Sequence, residues 1–259
     1  MSVIASRDNP RVKRWRELMR DARERRKARR AIIEGENLVQ AFIASGGAVE
    51  CLLIGKSASG RGEFSALEKQ CGKSATVLTD SVFRSIVDVE TPAGIAAEIA
   101  IPSSERILNT AESCVFLDSI QDTGNVGTIL RSAVAFGIGH AVLGKGCADA
   151  WSPKVLRAAA GAHFALQVVE NVDLVEAITE FAGRIACTVP RGGLPLRDAD
   201  LSGRIGWLFG AEGQGVSAAL AARAALKVTI PMPGAAESLN VAAAAAICFY
   251  EISRRGARA

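Results

Sequence analysis

Between residues 9 and 30 the chain is polar except for scattered apolar positions, Val12, Trp15, Leu18 and Met19, spaced at helical intervals. That spacing predicts an amphipathic helix, opened by the start signal Asn9-Pro10. Residues 31–101 then alternate short apolar runs (31–33, 49–54, 76–78 and 94–101) with helical stretches (37–44, 64–70 and 81–87). A compact α/β unit follows from this alternation. The polar, proline-containing break Pro102-Ser103-Ser104-Glu105 reads as a linker, with the domain boundary in 102–111. From Ser113 onward the apolar runs are nearly continuous, at 114–117, 140–143, 166–169, 185–189, 205–209 and 228–231, with helical segments between most of them. Continuous apolar strands separated by helices predict a parallel sheet covered on both faces. The expected organisation is a basic helical arm at 1–30, a smaller α/β domain at 31–105 and a larger one at 106–259.

Charge changes this picture at one end. The first thirty residues hold twelve Lys/Arg against four Asp/Glu, a net of +8, so the overall +4 hides a body that carries −4. A basic arm on a mildly acidic body points to a polyanionic partner, with nucleic acid the first suspect. The six cysteines are dispersed without a CxxC pair, and the two histidines, His140 and His163, have no Cys or His at ligand spacing. Reduced core thiols and no metal site are expected. The opening residues lack a signal peptide's apolar stretch, and the longest apolar run, 241–250, is far short of the ~20 residues a membrane helix needs. A cytoplasmic protein is expected.

Chemistry is expected at three corners that lie at strand ends, where open α/β sheets bind ligands: 118–131 (DSIQDTGNVGTILR), 209–215 (FGAEGQG) and 230–241 (IPMPGAAESLNV). Two superficial nucleotide-binding matches fail. The GKS triplets at 55–57 and 72–74 have Glu50 and Leu67 where a phosphate loop requires its first glycine. Residues 210–215 run GxxGxG, the reverse of the dinucleotide spacing, which opposes an oxidoreductase.

The three corners in order, Asn125-Val126-Gly127 with Arg131, Phe209-Gly210-Ala211-Glu212-Gly213, and Ile230-Pro231-Met232 leading to Ser238-Leu239-Asn240-Val241, resemble the SpoU (TrmH-type) family of 2′-O-ribose RNA methyltransferases. The resemblance extends over essentially the whole chain. It implies an α/β fold of SPOUT type: a C-terminal parallel-sheet domain with a trefoil knot, preceded by a smaller RNA-binding domain like ribosomal protein L30. Ile33-Glu34-Gly35 and Ala93-Gly94-Ile95 carry that second match. The implied cofactor is S-adenosyl-L-methionine, held by Phe209, Gly210, Gly213, Ile230, Met232 and Leu239. The implied catalytic set is Arg131, Asn125, Glu212, Ser238 and Asn240. The implied partners are RNA, ribosomal before transfer RNA, and a second copy of the chain.

Ribose methylation needs oxygen, carbon and sulfur in line, and help for the hydroxyl to lose its proton. No histidine lies in any corner. Arg131 is the residue the family implicates; a guanidinium normally stays protonated, so phosphate holding and electrostatic stabilisation of the developing alkoxide suit it physically, beside the role the resemblance implies, acceptance of the proton with help from phosphate. Asn125, Ser238 and Asn240 also suit helix capping, since each precedes a helical stretch. A catalytically silent RNA-binding factor on the same scaffold is the competing reading, and the intact polar set opposes it.

Overall fold

The computed structural model describes residues 3–102 and 112–256. The expected linker therefore lies, but for Pro102, outside the described residues. The chain divides into two compact units, one holding residues up to 103 together with Trp151–Phe164, the other holding the rest.

In the first unit, helix α1 (Pro10–Arg20) starts where Asn9 accepts a hydrogen bond from the Arg11 amide, with Pro10 fixing the first turn. It stops at Asp21, whose extended backbone (φ −115°, ψ 118°) breaks the helix and whose carboxylate caps α2 (Ala22–Ala28) by accepting from the Arg23 amide at 2.7 Å. The single helix expected over 9–30 is thus two. The remaining elements are β1 (Arg30–Glu34), α3 (Glu36–Ala44), β2 (Val49–Gly55), α4 (Gly62–Cys71), β3 (Thr76–Leu78), α5 (Asp80–Ile86) and β4 (Ile95–Ala100). The sheet runs β1-β4-β2-β3, with β4 antiparallel to both neighbours and β2 parallel to β3.

The basic N-terminal segment is built into this unit. Val12, Trp15, Leu18 and Met19 join Leu53, Leu78, Val82 and Phe83 in one apolar core. Trp15 Nε1 donates to Glu98 Oε2 at 2.8 Å, Arg14 pairs with the other oxygen of Glu98, and buried Arg25 donates to the Leu18 carbonyl at 2.6 Å. Burying an apolar helix face stabilises the unit by ~25 cal/mol per Å² removed from water, a gain a detached arm forgoes. The unit also takes in helix α7 (Pro153–Ala159), which packs on β1, and Phe164, whose ring meets Phe42 edge-on at 5.1 Å.

The second unit holds β5 (Cys114–Asp118), α6 (Thr123–Ala135), β6 (His140–Gly144), β7 (Gln167–Val172), α8 (Leu174–Glu180), β8 (Arg184–Thr188), β9 (Leu194–Pro195), β10 (Ile205–Gly210), α9 (Ala218–Ala221), β11 (Leu226–Thr229) and α10 (Val241–Gly256). All neighbours are parallel in a seven-stranded sheet, β7-β6-β5-β10-β8-β11-β9. The central β10 is buried along its length, as a strand covered on both faces must be. Chain order jumps between β5 and β10, so their carboxyl ends open onto the crevice where parallel α/β sheets place ligands.

Candidate active site

Three strand ends meet at one cavity of about 810 Å³. Thr188 closes β8, Gly210 closes β10, and Ile230 follows β11; these three strands are neighbours in the sheet. Volumes of ~300–1,000 Å³ are usual for small-molecule sites.

The floor depends on Gly210. A Cβ there would stand 2.1 Å from the Gly215 carbonyl, because residues 211–215 fold back tightly over the strand end, with the Gly215 amide donating to the Ala211 carbonyl at 2.8 Å. The return of that loop uses positive φ at Gly213 (86°) and Gly215 (68°), open to glycine at little cost.

Beside the cavity the three polar corners are tied into one node. Asn125 Nδ2 donates to Glu212 Oε1 at 2.8 Å, while Asn240 Nδ2 donates to the same oxygen at 2.8 Å and to Asn125 Oδ1 at 2.9 Å. The far side of Asn240 caps α10: Oδ1 accepts from the Ala242 and Ala243 amides at 2.9 and 3.3 Å. Asn240 therefore serves cap and node together. Asn125 is not a cap, because α6 begins at Thr123 and Asp122 does that work, accepting from the Asn125 amide at 2.7 Å. Freed from capping, the largely buried Asn125 side chain is turned inward to the node.

Of the residues singled out from sequence, Gly210, Glu212, Gly213, Ile230, Met232, Ser238, Leu239 and Asn240 line the cavity. Phe209 does not. Its side chain is fully buried, parallel to Trp207 and edge-on to Phe249 of α10, because alternation along β10 turns it to the helix-covered face. The apolar wall of the cavity is supplied by Val216, Met232 and Leu239.

Arg131 is also not among the lining residues, nor is Asn125. At 100° per residue, Arg131 lies ~240° around α6 from Asn125, just beyond the arc taken by the buried Asn125, Val126, Gly127, Ile129, Leu130 and Ala133. The guanidinium is exposed on the outer face of the helix, which is packed against α10.

Sequence reasoning passed over a fourth corner, Thr188-Val189-Pro190-Arg191, which lines the same cavity. Its signal was a Pro-Arg-Gly-Gly turn directly after an apolar run, the same grammar as the other three. The Thr229 hydroxyl pins this loop at both ends, donating to the Val189 carbonyl and accepting from the Gly193 amide, each at 3.0 Å.

Among the described residues no group of three His, Cys, Asp or Glu is placed to hold a metal ion, and no helix is long and apolar enough to cross a membrane.

With the geometry established, comparison with known proteins assigns the chain. Residues 112–250 match the model of the SpoU rRNA Methylase family, and residues 9–97 match the MRM3-like substrate binding domain. The protein belongs to the SpoU family. Over 254 residues it is 35% identical to the 23S rRNA (guanosine(2553)-2′-O)-methyltransferase RlmP of Bacillus subtilis, covering 97% of this chain and 99% of that one. Among solved structures it is similar to the SpoU methyltransferase AviRb of Streptomyces viridochromogenes in complex with AdoMet (26% identity, TM-score 0.87, covering 96% of this chain and 98% of that one). It is likewise similar to the AdoMet-bound rRNA methyltransferase of Sinorhizobium meliloti (26% identity, TM-score 0.85, 98% of each chain).

Proposed function

We propose that the protein methylates a ribose 2′-hydroxyl of ribosomal RNA, using S-adenosyl-L-methionine as donor, in the cytoplasm. The observation that carries this reading is the Asn125–Glu212–Asn240 node beside a cavity at the carboxyl ends of β8, β10 and β11.

The residues present suit the cofactor. Val216, Ile230, Met232 and Leu239 offer apolar surface for a flat base. Among the described residues, the backbone amides of the lining residues Met232, Glu237, Ser238 and Leu239 have no internal hydrogen-bond partner, so donors for the base and sugar are available at the cavity wall. When bound, S-adenosylmethionine supplies an electrophilic methyl group on a sulfonium.

The chain's own tasks are to bind, align and stabilise. The node fixes the relative position of α6, the 211–215 loop and the start of α10, which keeps the cavity wall rigid; preorganisation of this kind lowers the barrier because little reorganises during reaction. Ser238 stands at the cavity as a hydroxyl able to hydrogen-bond the ribose. Arg131 holds the phosphate next to the target ribose through its planar guanidinium, stabilising the alkoxide as it develops.

Because Arg131 is exposed and does not line its own chain's cavity, the reading assigns it to a site completed by a second copy. Tyr250 and Ile247 on α10, and Leu239 just before it, are 54%, 39% and 38% exposed, an apolar stripe suited to an isologous pairing. The homodimer and the trefoil knot typical of this family complete the proposal. Residues 1–105 would then bind RNA and residues 106–259 transfer the methyl group. The ribosomal substrate is supported by the relatives' substrates.

The test is turnover of Arg131→Lys on ribosomal RNA lacking the modification, with S-adenosylhomocysteine binding measured in parallel. Most activity is lost while binding is retained, since one ammonium cannot reproduce a planar fork. Wild-type turnover in this variant would exclude both the phosphate-holding and the alkoxide-stabilising role.

A further inference from the structure

Three charged side chains line the cavity: Arg191, Glu212 and Glu237. Glu212 is committed, its Oε1 accepting from both Asn125 and Asn240. Arg191 and Glu237 are exposed and, among the described residues, neither makes a hydrogen bond or ion pair. The cavity thus offers one uncommitted cation and one uncommitted anion, in a lining that, apart from the committed Glu212, is apolar, glycine, or neutral polar. Arg191 is also built into position: Val189 and Gly193, two residues to either side, are both held by the Thr229 hydroxyl, and a Cβ at Gly193 would stand 2.8 Å from that oxygen.

We propose that Arg191 and Glu237 read the zwitterionic amino-acid end of the cofactor, Arg191 taking its α-carboxylate and Glu237 its α-ammonium. The inference rests on the S-adenosylmethionine reading of the cavity. Its chemistry is complementary: the adenosine end is neutral and suits the apolar wall and backbone donors, whereas the methionine end carries one charge of each sign. A guanidinium matches a carboxylate with two parallel hydrogen bonds, which fixes orientation as well as charge. Recognition of this end sets which way the cofactor lies, and hence where its sulfonium faces the ribose. Arg191 and Glu237 are positioning residues, not catalytic ones.

The test compares two ligands by calorimetry on the full chain: S-adenosylhomocysteine, which has the amino-acid end, and 5′-methylthioadenosine, which keeps the adenosine and thioether but lacks it. Wild type binds the first at least ~10-fold more tightly. Arg191→Ala weakens S-adenosylhomocysteine by roughly ten- to a hundredfold and leaves methylthioadenosine unchanged, the loss of a charged hydrogen bond at one end only. Arg191→Lys falls between, and Glu237→Gln loses the same ligand selectively. Among the described residues neither side chain has a partner, so the thermal midpoints stay at the wild-type value. Equal loss of both ligands, or of neither, overturns the proposal. So does unchanged S-adenosylhomocysteine affinity with weakened RNA affinity, which would make Arg191 a phosphate contact. If wild type binds methylthioadenosine and S-adenosylhomocysteine equally well, the amino-acid end is unread although the cofactor reading stands. If it binds neither, both readings fall.

Discussion

Asn240 and Glu212, 28 residues apart in sequence, meet through a 2.8 Å hydrogen bond in which the Asn240 amide donates to Glu212 Oε1. That amide nitrogen also donates to Asn125 Oδ1 at 2.9 Å, while the Asn240 carbonyl oxygen caps α10. One side chain therefore couples two loops and two helices, and its donor end cannot be exchanged for an acceptor.

Asn240→Asp keeps the cap and replaces the donor by a second carboxylate facing Glu212. Stability at neutral pH falls by about 1–3 kcal/mol, the cost of an unpaired polar group with like charges adjacent. Repulsion raises the folded-state carboxylate pKa above its unfolded value, so the variant's relative stability is fully present below that unfolded value (~3.9) and is lost as pH rises through the raised one. Thermal midpoints relative to wild type should be near equal at pH 4 and lower at pH 7.5. A deficit of the same size at both would mean the partner geometry, not the charge, is what the substitution disturbs.

The structure sorts the N-terminal cations into two sets. Arg14 and Arg25 are engaged with Glu98 and the Leu18 carbonyl, whereas Arg20, Arg23, Arg26 and Lys27 have no internal partner among the described residues. Replacing the second set by glutamine should leave the fold intact and flatten the dependence of RNA affinity on log salt by ~0.7 for each single-strand phosphate contact removed. Arg25→Gln should instead lower stability. Fluorescence-anisotropy titrations at several salt concentrations separate the two, and an unchanged slope in the fourfold variant would assign RNA contact elsewhere.

Much of this was legible in the chain itself. Apolar runs gave nearly every strand, since period and length survive tertiary packing in strands buried on both faces, and β9, only two residues long, left no pattern to find. The helix over 9–30 was read as one because Asp21 suits a helix cap as well as an exposed position; only the extended backbone reveals the break. Three corners were marked by their polar and glycine residues, whereas the hydrogen bonds that join Asn125, Glu212 and Asn240 are visible only in the structure. Phe209 and Arg131 stand outside the cavity lining for a common reason. Sequence proximity to a corner does not say which way a side chain turns: strand alternation buries Phe209, and helical phase leaves Arg131 exposed.

Burial pushes the Cys187 thiol up to about 11 and holds the Cys114 and Cys248 thiols well above the ordinary range. Thiolate is the reactive form, so at pH 8 these three carry little of it in the folded state. Labelling of the native protein at pH 8 should spare Cys114, Cys187 and Cys248, whereas denaturant exposes all six. Peptide mass mapping after a timed pulse reads this directly; fast native labelling of Cys114 or Cys248 would contradict the close packing of β5 and α10.

The corners joined at Asn240 form a site that methylates a ribose oxygen in ribosomal RNA. Mass-spectrometric mapping of ribose methylation in total RNA, from cells with the gene and cells without it, tests this most directly. One 2′-O-methyl nucleotide in ribosomal RNA should be absent without the gene and restored by wild type, but not by Arg131→Lys. An unchanged ribose-methylation map, or a missing methyl group on a base, would contradict the account.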